Sequence, residues 1–298
     1  MATDWMMSDF GTVSRGDDLR ALLAAGKSVQ TAGAYDGMTA RLARDAGFEA
    51  LYLSGAALSA SMALPDLGLL TLEDVRLRAK QIVRASDLPL IVDCDTGFGE
   101  ALNVMQLVRD MEEIGVACIQ IEDQKFPKKC GHLNDKQLIS RDDMCRKIAA
   151  ARKAADRLIV CARTDAAAES LDDALDRARA YRDAGAELIF VEALASHEII
   201  RRVREQLDMP LLANMTEFGR TPHISMREWQ EIGYEVVIYP VSAFRVAMKA
   251  ARDFYAKLYA GGTAEPTLDT MLTRAELYET ISYYDYEALD ENIARTVL

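Results

Sequence analysis

The stretch LPLIVDCDTG, residues 88–97, sets the terms for the rest of the chain. Its apolar run leaves no polar face for water, so it suits a strand covered on both sides, as in a parallel sheet flanked by helices. It ends in Asp93 and Asp95, which puts carboxylates at the C-terminal end of that strand. Seven similar runs follow or precede it: SVQTAG (28–33), ALYLSG (50–55), CIQIED (118–123), LIVCARTD (158–165), LIFVEA (188–193), PLLANM (210–215) and VVIYPVS (236–242). Eight such runs alternating with longer amphipathic stretches predict an α/β protein, a (β/α)8 barrel.

The stretches between the runs read as helices. TLEDVRLRAKQIVRAS (71–86) opens on a threonine able to cap, with acids in its first turn. ALNVMQLVRDMEEIG (101–115) and LDDALDRARAYRDAGA (171–186) carry apolar residues at helical spacing and close near a glycine. An open doubly wound sheet is the rival, but no G-x-G-x-x-G follows the first run and no P-loop occurs. No Gly-, Ser- or Pro-rich linker divides the chain, so a single domain over 1–298 is expected. It would carry an N-terminal extension (1–16) and a helical tail (260–298) whose Tyr and Leu stripe packs on its own barrel or on a neighbouring subunit.

The formal charge of −12 argues against nucleic acid or an anionic membrane as partner. No run approaches the roughly 18 apolar residues that span a bilayer, and no signal peptide is visible. The five cysteines form no C-x-x-C. Together these features predict a reduced, cytoplasmic protein.

Polar residues collect at the strand ends: Tyr52, Ser54 and Gly55; Asp93 and Asp95; Glu122 and Asp123; Arg163 and Asp165; Glu192; Asn214; Ser242 and Arg245. A barrel would bring them to one mouth, where so many carboxylates repel unless a cation or a cationic group of the substrate neutralises them. Asp93 and Asp95, two apart, would face one side of a regular strand. Hard oxygen donors without a nearby histidine favour Mg2+ or Mn2+ over Zn2+; helix capping is the plainer alternative. KKCGHL (128–133) lies just beyond the fourth run. Cys130 and His132 lack the second ligand pair of a zinc site and the resolving cysteine of a redox pair. A nucleophile, a general acid or a solvated basic loop remain. The acid reading has a physical basis, because neighbouring cations lower a thiol from its ordinary pKa of about 8.5.

These motifs together resemble the isocitrate lyase/phosphoenolpyruvate mutase superfamily. KKCGH follows IEDQ, VDCDTGFG (92–99) precedes it and ARTDA (162–166) follows. YLSG, LPDLG, DAGAELIFVEA, NMTEFGRTP, YPVSAFR and TMLTRAELYETISYYDYE extend the likeness from about Ala21 to the C-terminus. Within that superfamily the chain is most similar to the short bacterial 2-methylisocitrate lyases. The resemblance implies a barrel whose last helix is exchanged with a partner, in dimers that pair into homotetramers. It implies Mg2+ or Mn2+ at Asp93 and Asp95, with Asp66 of LPDLG as a further metal residue and Glu122 beside it. KKCGH would be a mobile gate with Cys130 as the acid, and Tyr52 or Glu122 would be the base. Ser54, Gly55, Arg163, Glu192, Asn214 and Arg245, with Tyr52, would hold the carboxylates, hydroxyl and enolate of a di- or tricarboxylate. Gly131 and His132 would bind its distal carboxylate.

One departure concerns the substrate. After CGH this chain has LNDK, where the bacterial methylisocitrate lyases usually read RPNK. Leu133 is closer to the 2,3-dimethylmalate lyases, so Leu133, Phe98 and Phe218 become the residues expected to shape the pocket. Phosphorus–carbon mutases of the superfamily typically lack Cys-Gly-His, which favours a lyase here. A non-catalytic barrel should have lost Asp93, Cys130 or Arg163, and all three are present.

Overall fold

The computed structural model describes Met6, residues 14–131 and residues 136–296, with side chains through Glu291. All eight apolar runs are strands: β1 (Val29–Gly33), β2 (Ala50–Leu53), β3 (Leu90–Asp93), β4 (Cys118–Glu122), β5 (Ile159–Thr164), β6 (Leu188–Val191), β7 (Leu211–Asn214) and β8 (Val236–Tyr239). They pair in parallel in sequence order, and β8 returns to β1, so the sheet is a closed barrel. Closure leaves no unpaired edge.

The helices are α1 (Gly16–Leu23), α2 (Gly37–Asp45), α3 (Gly55–Ser61), α4 (Leu72–Ser86), α5 (Ala101–Glu113), α6 (Arg141–Ala154), α7 (Leu171–Asp183), α8 (His197–Gln206), α9 (Met226–Ile232), α10 (Ser242–Gly261), α11 (Arg274–Thr280) and α12 (Tyr283–Thr296). The expected start signals are realised. Thr71 accepts from the Asp74 amide while Asp74 accepts from the Thr71 amide, a reciprocal cap on α4. Gly115 follows α5 at φ +90°, a conformation glycine adopts without strain.

Two apolar layers result. Outward-facing strand residues such as Leu51, Val92, Ile119 and Val160 pack under the helices, and inward-facing Tyr52, Ile91, Cys118, Cys161, Phe190 and Ile238 fill the barrel. The N-terminal end of the barrel is plugged by α1. Leu19 is fully buried in the inner layer with Leu22 and Leu23 packed beside it, and the Ser14 hydroxyl donates to the Val116 carbonyl. Among the described residues, α1 therefore closes the N-terminal end and leaves the C-terminal ends of the strands for the inner chemistry.

The chain separates into two compact units, one ending at Phe244 and one from Arg245 onward, with the division inside α10. In the second unit α10 has no buried residue, and Tyr278 stacks on Tyr283 with ring centroids 4.3 Å apart.

Candidate active site

The barrel register sets the inner layer at the mouth. Asp93 lies opposite Gln120, Glu122 opposite Arg163, and Arg163 opposite Phe190. The Tyr52 hydroxyl donates to Gln120 Oε1 at 2.6 Å, and Gln120 Nε2 donates to Asp93 Oδ1 at 3.2 Å. The Gly55 amide, at the start of α3, donates to Asp93 Oδ2 at 3.1 Å. Burial, with the Asp93 charge, pushes the Tyr52 phenol well above its ordinary range and keeps it protonated. The Ser54 hydroxyl accepts from the Ala57 amide and so caps α3.

Asp93 and Asp95 do converge, though not through the pleat of a strand. β3 ends at Asp93, and Asp95 sits in the left-handed region at φ +48°. That turn aims its carboxylate back: a Cβ on Gly55 would lie 3.2 Å from both Asp93 Oδ2 and Asp95 Oδ1. Lys147 of α6 holds the turn by donating to the Thr96 carbonyl at 3.1 Å. The same Asp95 Oδ1 faces the Lys128 ammonium at 2.8 Å, and Lys128 also donates to Asp66. Burial pushes the Asp95 carboxyl up to about 6 against the pull of Lys128.

On the other wall stands Arg163, with four carboxylate contacts. Its Nε and Nη2 reach the two Asp165 oxygens at 2.9 and 3.0 Å, Nη1 lies 3.1 Å from Glu122, and Nη2 lies 3.5 Å from Glu192. Its guanidinium sits 5.3 Å over the Phe190 ring. Burial alone would lower the Arg163 pKa, but Asp165, Glu122 and Glu192 raise it well above the usual value, so the charge is permanent. Burial pushes the Asp165 carboxyl up, yet Arg163 and Lys136 outweigh it and hold it below the usual range. Glu122 is 1 % exposed, neither of its oxygens accepts a hydrogen bond, and burial raises it well above an ordinary carboxylic acid. Asn214 donates to Glu192 at 3.3 Å, and the Ala193 amide donates to Glu192 Oε1 at 2.7 Å.

The loop after β4 lies over this mouth. Its base is closed by a bridge between Gln124 and Leu138, and Gln124 both donates to the Lys129 carbonyl and accepts from the Lys129 amide. Lys136 donates to the Gly131 carbonyl at 2.5 Å and to Asp165 at 2.6 Å. Gly131 is pressed so closely on Arg163 and Glu192 that a Cβ there would collide with both side chains. Cys130, half-buried, precedes it. His132 and Leu133 lie outside the described residues, and Arg245 is the first residue of the C-terminal unit.

Residue spacing alone did not single out Gln120 or Lys136. Gln120 could have been found as the polar residue two before Glu122 on the same inward face. Lys136 carries no such signal. Lys128 is paired with Asp66 and Asp95. Asp123 faces away from the mouth, accepting from the Thr164 and Tyr181 hydroxyls and the Asp165 amide. Phe98 lines a cavity of about 740 Å³ that Asp95 also lines, with Leu70, Asn103 and Phe126, and Phe218 is 93 % exposed.

The donors present suit a hard divalent cation. Among the described residues no three Asp, Glu, His or Cys side chains close into a ready cage. Two convergent carboxylates plus buried Glu122 oxygens without hydrogen-bond donors match an ion that keeps several of its waters, as Mg2+ does.

Comparison with known proteins agrees with this geometry. Residues 19–259 match the family model described as phosphoenolpyruvate phosphomutase. The chain is 53 % identical to a 2-methylisocitrate lyase from Bacillus subtilis (strain 168), over 94 % of this chain and 93 % of that one. It is 41 % identical to a 2,3-dimethylmalate lyase from Eubacterium barkeri, over 93 % and 97 %. The crystal structure of a 2,3-dimethylmalate lyase, a PEP mutase/isocitrate lyase superfamily member, superposes with a TM-score of 0.89 at 36 % identity, covering 95 % of this chain and 96 % of that one. A closed eight-strand barrel, a carboxylate-lined mouth and likeness over nearly the whole length lead to one conclusion: the chain belongs to the PEP mutase/isocitrate lyase superfamily.

Proposed function

We propose that this protein is a carbon–carbon lyase that cleaves 2-methylisocitrate to pyruvate and succinate by retro-aldol chemistry. The observation that carries the reading is the seating of the Lys128–Gly131 limb on Asp66, Asp95, Arg163 and Glu192, which brings the residue beside Cys130 against the carboxylate mouth.

Mg2+ or Mn2+ held at Asp93 and Asp95, with Asp66 and Glu122 nearby, would supply Lewis acidity at the substrate's hydroxyl and carboxylate. Arg163, permanently charged, binds the carboxylate next to that hydroxyl. Glu122, buried at the mouth 3.1 Å from Arg163, takes the hydroxyl proton as a carboxylate. Tyr52 acts from below through Gln120, orienting Asp93 rather than moving the proton. As C2–C3 breaks, the hydroxyl carbon becomes the carbonyl of pyruvate and the bond's electron pair passes to the enolate of succinate. Asn214, the Gly131 main chain and His132 stabilise that enolate and its distal carboxylate, and Ser54, Gly55 and Glu192 complete the binding shell. The Cys130 thiol gives its proton to carbon, and the covering loop excludes water from the enolate.

Identity with the B. subtilis 2-methylisocitrate lyase exceeds that with the E. barkeri 2,3-dimethylmalate lyase. Leu133 supports 2,3-dimethylmalate as the second reading, since an apolar residue after Gly-His suits a less charged substrate. Pyruvate release from both substrates, measured by a coupled assay, separates them. A higher kcat/KM for 2-methylisocitrate is expected; a higher value for 2,3-dimethylmalate, or no pyruvate from either, would overturn the first reading.

The chain is further proposed to work as a homotetramer, a dimer of dimers with α10 exchanged between partners. Supporting this, Val246, Tyr255 and Tyr259 along α10 are 70 %, 66 % and 95 % exposed. A reducing cytoplasm suits its five free cysteines. Among the described residues no helix is long and apolar enough to cross a membrane.

A further inference from the structure

Asp123, the strand-end carboxylate that turns away from the mouth, is fully buried, and its two oxygens serve different neighbours. Oδ1 accepts from the Asp165 amide at 3.0 Å. Oδ2 accepts from the Thr164 hydroxyl at 2.7 Å and the Tyr181 hydroxyl at 2.8 Å, and Arg177 Nη1 lies 3.3 Å from it. Arg177 and Tyr181 are four residues apart on α7, so they share the face of that helix turned to the barrel. Arg177 Nη1 also donates to the Tyr181 hydroxyl at 3.2 Å and to the Ile139 carbonyl at 3.1 Å, while its Nε donates to Asp173 at 2.9 Å. Burial, with the Asp123 charge beside it, pushes the Tyr181 phenol up and keeps it a donor.

These contacts converge on the segment that builds one wall of the mouth. The Asp123 amide donates to the Arg163 carbonyl at 3.3 Å, so Asp123 grips three consecutive residues, Arg163, Thr164 and Asp165. The Asp165 carboxylate in turn takes both Nε and Nη2 of Arg163. A buried polar network with its partners in place rigidifies what it holds. We propose that Arg177 and Tyr181 are positioning residues: through Asp123 they fix the Asp165 carboxylate, and through it the orientation of the Arg163 guanidinium that binds the substrate carboxylate. The inference rests on the role given to Arg163 above and extends the working site to a helix outside the barrel.

The test compares Arg177→Met and Tyr181→Phe with Leu175→Ala, which truncates a buried residue of the same helix outside this network. Tyr181→Phe keeps the ring and removes only the hydroxyl, so the test does not depend on Arg177→Met folding. Steady-state pyruvate release from 2-methylisocitrate separates positioning from stability. A correctly built site present in fewer molecules loses apparent kcat at constant KM, whereas a displaced carboxylate-binding guanidinium raises KM. KM should rise at least about fivefold in both network variants, the scale of one lost hydrogen bond, and stay at the wild-type value in Leu175→Ala. A second readout needs no turnover. In protein labelled with 15N-arginine, the Arg163 Nε–H resonance, identified by its absence from Arg163→Lys, should shift in Arg177→Met and Tyr181→Phe and keep its place in Leu175→Ala. An unmoved KM or resonance in the network variants, or an equal rise of KM in Leu175→Ala, overturns the proposal. If the wild type releases no pyruvate, the assigned reaction fails instead, and the resonance alone decides the positioning role.

Discussion

Single residues at the mouth carry separable consequences. Gly131 has no room for a side chain between Arg163 and Glu192. Gly131→Ala should lower kcat/KM by about 10²-fold, because a misplacement of about 1 Å in a catalytic constellation has that scale of effect; melting temperature should stay near wild type, since the residue is on a loop. Asp165 is the opposite case. It is fully buried between Arg163 and Lys136, and its carboxyl is held below the usual range. A depressed carboxyl contributes stability above its unfolded pKa and loses it as pH falls through the folded one. Asp165→Asn leaves two buried cations short of a partner and should cost about 3–5 kcal/mol by urea unfolding. That deficit should be constant from about pH 8 to pH 5 and narrow only below about pH 4.

Much of this residue-level picture is legible in the sequence, because inward strand positions recur with period two. Asp93, Glu122, Arg163, Glu192 and Asn214 all fall on one mouth as expected. The Asp93–Asp95 pair shows how a correct expectation can rest on the wrong geometry: the convergence comes from a left-handed turn at Asp95 after the strand has ended. Lys136 and the pairing of Lys128 were not legible, because both depend on how a long loop folds back, and no periodicity governs a loop.

At the scale of elements, apolar runs covered on both faces read directly as parallel strands, and glycine and capping signals located α4, α5 and α7. The role of α1 was not legible, because an eight-residue amphipathic helix has no pattern that distinguishes a barrel plug from a surface turn. Leu19 is fully buried among the inner residues. Leu19→Ala should therefore cost about 2–5 kcal/mol, the range for a buried leucine truncated to alanine. The mouth is at the other end of the barrel, so activity per folded molecule should be unchanged. Urea unfolding and a pyruvate assay on the same preparation check both halves.

For the whole molecule, the exposed apolar residues on α10 bear on assembly. Val246 is 70 % exposed on a helix with no buried residue, a condition stable helices escape by packing against something. On the proposed tetramer, Val246→Asp should shift the sedimentation profile toward smaller species, whereas a substitution at an already charged position of α10, such as Lys249→Glu, should not. The account of the chemistry depends on a thiol from one loop quenching a carbanion formed beside carboxylates from other strands. The most direct measurement is the turnover of Cys130→Ser with 2-methylisocitrate, made alongside Mn2+ affinity and melting temperature. The expected result is unchanged fold and metal binding with kcat lowered by about 10²–10⁴, the scale of a lost general acid. Near-normal kcat in that variant would contradict the account.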